Sequence, residues 1–453
     1  MQKTIACENI LKDYRLTHPL QTERTLAMIT TGIIAEYNPF HNGHAYHLNQ
    51  VRARSQADYL MIVMSGDFVQ RGAPAIADKY LRTQAALLCG ADLVVELPCL
   101  FACSSAEAFA FGGVSLLDRM GVVDYLGFGC ECGALEPLEK AAFILAQEPA
   151  SFRNVLQKEL RNGYSFPAAR AMALSHCLGT NTEGADLFSS PNNILALEYL
   201  KALYRLDSSI RPLAVKREGS GYHEKELCSS ELCSSELYSV FSSALALRNA
   251  ILSQGDITLL KGQVPDPVFA LLNGGFGKRL PVSARDFSSL LYYKLLSEAE
   301  KGYTEYLDVT KDLSDKIKKK LRSYGSFDSF CMSLKSRDLT LTRIYRCMTH
   351  ILLNIRQADA QEIINENGVP YARVLGFRES SAPLLAKIKR CSRIPLIVTA
   401  DDAKKFMKSP VTTAAAKNLL QTDLRAARLY THILADRFDT VLPDEFAAPV
   451  LKL

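Results

Sequence analysis

Residues 31–50 read TGIIAEYNPFHNGHAYHLNQ, and they place three of the chain's eight histidines, His41, His44 and His47, within seven positions. The apolar, β-branched run GIIAEY predicts a short strand, and the residues from about His41 to Ser55 predict a helix. Pro39 and Gly43 suit a turn between the two. In open α/β sheets, ligands bind beyond the carboxyl ends of strands, which is where NPFHNGHAYH falls. His41 and His44, three apart, would share one side of the first helical turn. Unpaired backbone N–H groups and the positive end of the helix dipole gather there, so the position suits a phosphate. Two imidazoles could donate to phosphate oxygens as charge develops, and Gly43 would let a phosphate approach the backbone. Two other readings stay open. A zinc site would need a third ligand, for which His47 is available, and the cluster could also be merely structural.

The same alternation continues outward. DYLMIVMSG and ADLVVELP read as strands, DKYLRTQAALLCG as a helix, and VVDYLGFG as a strand after a long Ala/Phe-rich helix. Strands alternating with helices imply βαβ units and a parallel sheet, and continuous apolar strands fit a sheet covered on both faces. Three helical stretches follow: FRNVLQKELRNG, FPAARAMALSHCLG and NNILALEYLKALYRL. IRPLAVKRE then returns to the sheet. The near-tandem repeat ELCSSELCSSELYS at 226–239 reads as a surface insertion. Beyond about residue 255 the β signals fade. The expected organisation is an N-terminal extension (1–30), an α/β domain (31–254) and a mainly α-helical domain (255–453).

Composition narrows the classes. The chain has 453 residues, 48% hydrophobic and 22% charged, which suits two or three cored domains rather than a disordered or fibrous protein. No stretch is long and apolar enough for a membrane span, because Asp92, Glu96 and Glu107 interrupt the most apolar region. Twelve scattered cysteines with no Cys-x-x-Cys pair fit reduced thiols and a cytoplasmic location. No metal-ligand set is assigned, and no obligate protein partner is evident. A net charge of +5 is mild, so a nucleic-acid partner must be met by a local patch.

HNGH is an instance of the His-x-Gly-His signature of the nucleotidyltransferase superfamily. Together, GIIAEYNPFHNGHAYHL, VMSGDFVQRGAPA, ADLVVELP, SPNNILALEY and THILLNI resemble the bacterial tRNA(Met) cytidine acetate ligase family. The resemblance is dense over residues 31–217 and thinner, though visible in PYARVLGF, beyond. It implies a Rossmann-like, parallel-sheet nucleotidyltransferase domain followed by the helical one. It also implies an ATP-dependent enzyme that activates acetate as acetyl-adenylate. The acetyl group then passes to N4 of the wobble cytidine of elongator tRNA(Met), without acetyl-CoA. ATP is the implied co-substrate, with Mg2+ as helper.

By resemblance, the main ATP-binding stretch is Ile34, Ala35, Glu36, Tyr37, Asn38, Pro39, Phe40, His41, Asn42, Gly43, His44, Ala45, Tyr46 and His47. His41 and His44 are its catalytic residues. Gly129, Asn192 and Arg217 match further ATP positions, although a turn glycine, a helix cap and a solvated arginine are the plainer readings. Departure of pyrophosphate calls for positive charge, and Arg71, Lys79 and Arg82 are the candidates. Asp67 is a candidate to approach the magnesium ion. One departure from the superfamily is notable. Where many members carry a hydroxyl-rich Ser-x-Thr-Ser-x-Arg string, this chain has SSALALRNA, keeping Ser243 and Arg248 but placing Leu245 and Ala246 at the hydroxyl positions.

Between Lys311 and Arg346 stand ten Lys/Arg against four Asp, a local balance of +6. Lys318, Lys319, Arg343 and Arg346 are the candidate tRNA-binding residues, and His350 is expected on the same side as the two arginines. A solvated helix surface is the plainer alternative. Two other functions remain in view. One is a small-molecule nucleotidyltransferase that never meets RNA; the other is a catalytically weak tRNA-binding relative.

Overall fold

The computed structural model describes residues 28–131, 135–179, 190–216, 242–337, 339–366, 368–447 and 449–453. Most of the expected extension, the 226–239 repeat and Arg217 lie outside them. The first strand, β1 (Thr30–Ala35), is followed by helix α1 (Asn42–Ser55) and strand β2 (Tyr59–Ser65). A small hairpin, β3 (Phe68–Val69) and β4 (Ala73–Pro74), leads to helix α2 (Lys79–Leu88) and strand β5 (Leu93–Leu97). Helix α3 (Ala106–Arg119) and strand β6 (Tyr125–Cys130) come next. Beyond three further helices among the described residues, α4 (Pro191–Arg205) precedes β7 (Arg211–Lys216), and α5 (Ala244–Gln254) closes this part.

With β8 (Ala372–Phe377), β9 (Leu396–Ile397) and β10 (Leu451–Lys452), the eight-stranded sheet has the order β10-β8-β5-β2-β1-β6-β7, with β9 beside β8. Strands β5, β2, β1, β6 and β7 are mutually parallel. The chain runs outward from β1 through β2 to β5, then crosses to β6 on the other side of β1. The topological switch point therefore lies between β1 and β6, where ligands bind in such sheets.

Both faces of the sheet are covered, as the continuous apolar strands predict. Successive residues of β1 serve opposite cores: Ile33 packs with Leu48 and Val51 of α1, whereas Ile34 packs with Val114 and Leu117 of α3. Close approach of α1 depends on Gly127 in β6, where a Cβ would stand 2.7 Å from a methyl of Val51. The cost of such overpacking explains the glycine.

The region beyond residue 255 is rich in helices, but the expectation that β structure fades there is corrected at three places. Strand β8 (Ala372–Phe377) pairs antiparallel with β5, and the two-residue strands β9 (Leu396–Ile397) and β10 (Leu451–Lys452) pair parallel with β8. Two-residue strands carry no periodicity, and β8 hides behind a buried arginine. Arg373 is 2% exposed because it belongs to an ionic cluster beneath the sheet edge. Lys79 Nζ lies 2.9 Å from Glu96 and 3.1 Å from Glu445, and Arg373 pairs with both carboxylates. Three helices of this region matter below: α6 (Lys311–Lys320), α7 (Leu341–Leu353) and the long α8 (Ala414–Phe438).

Candidate active site

A cleft opens at the carboxyl ends of β1, β6 and β7, between the start of α1 and the N-terminal turns of α4 and α5. Its construction begins with the turn after β1. Tyr37 takes a left-handed conformation (φ 49°), and the Asn38–Pro39 peptide that follows is cis. Asn38 holds the turn from both sides. Its Oδ1 accepts the Ile76 N–H at 2.8 Å, and its carbonyl accepts Arg248 Nη1 at 2.5 Å.

His41 is the N-cap of α1. Its Nδ1 accepts the Gly43 N–H at 3.1 Å, while His44 Nδ1 accepts the His41 N–H at 3.3 Å, forming a capping box built from two imidazoles. The rings stack with centroids 3.7 Å apart, and Tyr37 packs edge-on against His44 at 4.9 Å. A neutral imidazole that accepts at Nδ1 carries its proton on Nε2. Both rings are thereby set in the tautomer that donates from Nε2, and both line the cleft. The first turn of α1 contains no acidic residue to oppose an anion.

The structure brings together most of the residues expected here. Ile34, Ala35, Glu36, Tyr37, Asn38, His41, Gly43, His44, Tyr46, His47, Gly129 and Asn192 all line the cleft. Asn192, at the start of α4, donates to Glu131 Oε1 at 2.7 Å. Four neighbours in the stretch point elsewhere. Phe40 and Ala45 belong to the core beneath α1, and Asn42 donates from Nδ2 to the Gly262 carbonyl at 2.8 Å. Pro39 is buried in the cis turn. The motif alone did not separate inward from outward positions, because turn and helix phase decide that.

Among the three basic candidates, Arg71 lines the cleft and the other two are corrected. Lys79 is 1% exposed and held in the ionic cluster. Arg82 is equally buried and donates to the carbonyls of Ala77, Glu36, Ser65 and Gly66, so it is a brace for the backbone. Asp67 is also buried, accepting the Lys79 N–H at 2.8 Å with Lys79 Nζ at 3.8 Å. Burial pushes its carboxyl pKa up. Its place under the β3–β4 hairpin does not suit a metal ligand.

Ser243 caps α5 by accepting the Ala246 N–H, and Ser243, Leu245 and Arg248 line the cleft. Ala246 is buried against the core, so only Leu245 of the two altered positions borders the cleft. Residues that sequence reasoning missed are Gln70, Phe109, Phe128, Leu195, Tyr199, Lys216 and Ser242. Most are aromatic or aliphatic positions whose spacing is that of ordinary core.

The four candidate RNA-binding residues lie on two helices. Lys319 is exposed on α6, where Lys318 Nζ donates to the Glu300 carbonyl at 3.2 Å. Arg343 and Arg346 are half-buried on α7, and a Cβ on Gly72 would meet the Arg346 backbone nitrogen at 2.3 Å. Arg346 therefore sits next to the loop that carries Arg71 into the cleft. His350 is corrected: it is fully buried and bonded to the carbonyls of Leu307 and Cys103, at 2.8 and 2.9 Å.

Among the described residues no group of three or more His, Cys, Asp or Glu is placed to hold a metal ion. No described helix is long and apolar enough to cross a membrane.

A sheet with a parallel five-stranded centre and an HNGH capping box at its switch point defines a nucleotidyltransferase. The family model described as HIGH Nucleotidyl Transferase matches residues 28–441. The chain belongs, within that class, to the tRNA(Met) cytidine acetate ligase family. The tRNA(Met) cytidine acetate ligase of Thermoanaerobacter sp. (strain X514) is 39% identical over 423 residues, covering 93% of this chain and 99% of the relative. That of Halothermothrix orenii is 38% identical over 446 residues, with 94% and 100% covered. The apo crystal structure of Thermotoga maritima TmcAL superposes with a TM-score of 0.85 at 30% identity, covering 94% of this chain and 100% of that one. The same enzyme bound with alpha-thio ATP gives a TM-score of 0.84 at 30% identity.

Proposed function

We propose that this protein uses ATP to activate acetate as acetyl-adenylate, releases pyrophosphate, and transfers the acetyl group to N4 of the wobble cytidine of elongator tRNA(Met). The reaction belongs to the cytoplasm, where that tRNA is found. The observation that carries this reading is the double-imidazole capping box, which sets two Nε2 donors beside the N-terminal amides of α1 at the switch point.

In the first half-reaction an acetate oxygen attacks the α-phosphorus and pyrophosphate leaves. His41 and His44 donate to phosphate oxygens, and the α1 and α5 N-termini add fixed positive potential. Arg71, Arg248 and Lys216 supply the cationic side chains around the same cleft. Gly129 leaves the end of β6 open to the nucleotide, and Asn192 orients a hydrogen bond at its edge. Among the described residues the cleft offers no carboxylate cage, which suits Mg2+ arriving on the nucleotide's phosphates with few protein ligands. In the second half-reaction the tRNA lies across Lys318, Lys319, Arg343 and Arg346, and the target base leaves its stack to reach the adenylate.

The test is incubation of the purified protein with ATP, magnesium, labelled acetate and unmodified elongator tRNA(Met), followed by nucleoside analysis. N4-acetylcytidine at the wobble position that depends on both ATP and acetate is expected. Adenylate formation without RNA acetylation would overturn the assignment in favour of a small-molecule nucleotidyltransferase.

A further inference from the structure

The cleft has two chemically different sides, separated by the end of β1. The α1 side carries the imidazoles, the N-termini of α1 and α5, and Arg248. On the α3 and α4 side lie Phe109, Phe128, Leu195 and Tyr199, with Glu36 among them. The strand alternation explains this placement: Ile33 serves the α1 core and Ile34 the α3 core, so Glu36 turns its side chain toward α3 and α4 as Ile34 does. Glu36 Oε1 accepts the Gln70 N–H at 2.7 Å, which fixes the carboxylate from the hairpin that caps this side. Burial pushes the Tyr199 phenol up, and the nearby Glu36 carboxylate pushes it further.

A carboxylate set among aromatic rings is a poor place for a triphosphate or for the acetate anion, because like charges repel. It is a good place for a planar base bearing an amino group. Aromatic faces stack on such bases, and a glutamate accepts from the N4 amine of cytosine. We propose that this apolar side receives the target cytosine and that Glu36 accepts the proton released from N4. The inference rests on the function proposed above.

The step balances without another reactant. The N4 atom attacks the carbonyl carbon of acetyl-adenylate, forming the N–C bond. The bond from that carbon to the phosphate oxygen breaks, and AMP leaves with the electron pair. One N4 proton passes to the Glu36 carboxylate and from there to solvent. The exocyclic amine of cytosine is a weak nucleophile, since its lone pair is conjugated with the ring. A base positioned at N4 therefore serves the transfer half-reaction, whereas attack of acetate on phosphorus has no proton to remove.

The experiment uses the full-length Glu36→Gln protein, whose amide oxygen can still accept from Gln70. Three rates are compared with wild type: acetylation of tRNA, acetate-dependent ATP–pyrophosphate exchange, and acetohydroxamate formation with hydroxylamine replacing tRNA. Acetylation of tRNA should fall by about 10²- to 10⁴-fold. Glu36 lies in the stretch expected to bind ATP, so exchange is measured at saturating ATP. The readout is the ratio of tRNA acetylation to exchange, which should fall by about 10-fold or more. Hydroxylamine, a strong nucleophile needing no base, should be acylated at a rate that tracks exchange. Parallel loss of exchange and tRNA acetylation would place Glu36 at the nucleotide or acetate and overturn the inference, as would tRNA acetylation close to wild type. If Glu36→Gln lowers the melting temperature, Glu36→Asp must show the same split in milder form. Wild-type protein that exchanges but never acetylates tRNA refutes the proposed function itself, a distinguishable failure.

Discussion

His41 and His44 are each other's cap: the His41 N–H donates to His44 Nδ1 while the two rings stack face to face. The fold and the chemistry draw on different nitrogens of the same rings, so they can be separated by substitution. His44→Ala removes one donor at the place where phosphate charge develops. It should lower acetate-dependent ATP–pyrophosphate exchange by about 10²- to 10³-fold while tRNA retention is kept. Normal turnover in that variant would sink the phosphate assignment. His41→Asn keeps a good N-cap and should melt like wild type, whereas His41→Ala should lose about 1 kcal/mol. Both should be poor in exchange.

The basic helices predict the opposite split. Changing Lys318, Lys319, Arg343 and Arg346 to Ala should weaken tRNA binding and abolish tRNA acetylation at moderate salt, with acetyl-adenylate formation intact. Every cation removed from a tRNA phosphate should reduce the slope of log affinity against log salt by about 1. Filter binding at several salt concentrations reads both quantities. Unchanged acetylation would show that RNA lies elsewhere.

Much of this arrangement was legible in residues 31–131, where β1, β2, β5 and β6 are largely apolar runs separated by helical stretches, although the two-residue strands β3 and β4 are too short to carry a pattern. HNGH announced the site because its chemistry needs those residue types at that spacing. What stayed hidden has physical causes. Lys79 and Arg82 looked like phosphate ligands, since a sequence does not show that Glu96, Glu445 and four carbonyls already satisfy them. His350 looked like surface because its two carbonyl partners come from distant positions, Leu307 and Cys103. The apolar side of the cleft was invisible because Phe109, Phe128 and Tyr199 have the spacing of core residues and are buried like them.

The ionic cluster beneath β8 ties the C-terminal segment to the catalytic sheet, which makes it a stability determinant. Burial pushes the Glu96 carboxyl up, but Lys79 and Arg373 outweigh it and hold the pKa below its ordinary 4.5. A depressed carboxyl contributes stability above its unfolded pKa, lost as pH falls through the folded one, so acid should destabilise through Glu96 below about pH 4.5. Glu96→Ala leaves two buried cations short of a partner and should cost about 3–5 kcal/mol at pH 7. Urea unfolding of both proteins at pH 7 checks the size. A loss under about 1 kcal/mol would mean that the cluster relaxes onto Glu445 alone.

Asp423 on α8 carries the opposite pH dependence. Its Oδ1 accepts the Cys99 N–H at 2.8 Å and its Oδ2 bonds the Tyr371 hydroxyl, all in the buried layer beside Glu96. Burial, reinforced by the Glu96 charge, raises its pKa from 3.8 to about 7. A raised carboxyl contributes stability that is full below the unfolded pKa and lost as pH rises through the folded one, here between about pH 4 and 7. Asn at this position keeps an acceptor for Cys99 and never ionises. The melting temperature of Asp423→Asn relative to wild type should therefore rise from pH 4 to pH 8, by an amount equivalent to a few kcal/mol at about 1.4 kcal/mol per pKa unit. Taking the difference cancels other groups in that range, including buried His350, whose pKa burial depresses and whose effect has the reverse sign. A difference that stays flat across the window would show that Asp423 ionises at its ordinary pH, and that Tyr371 and Cys99 stabilise the charge against burial.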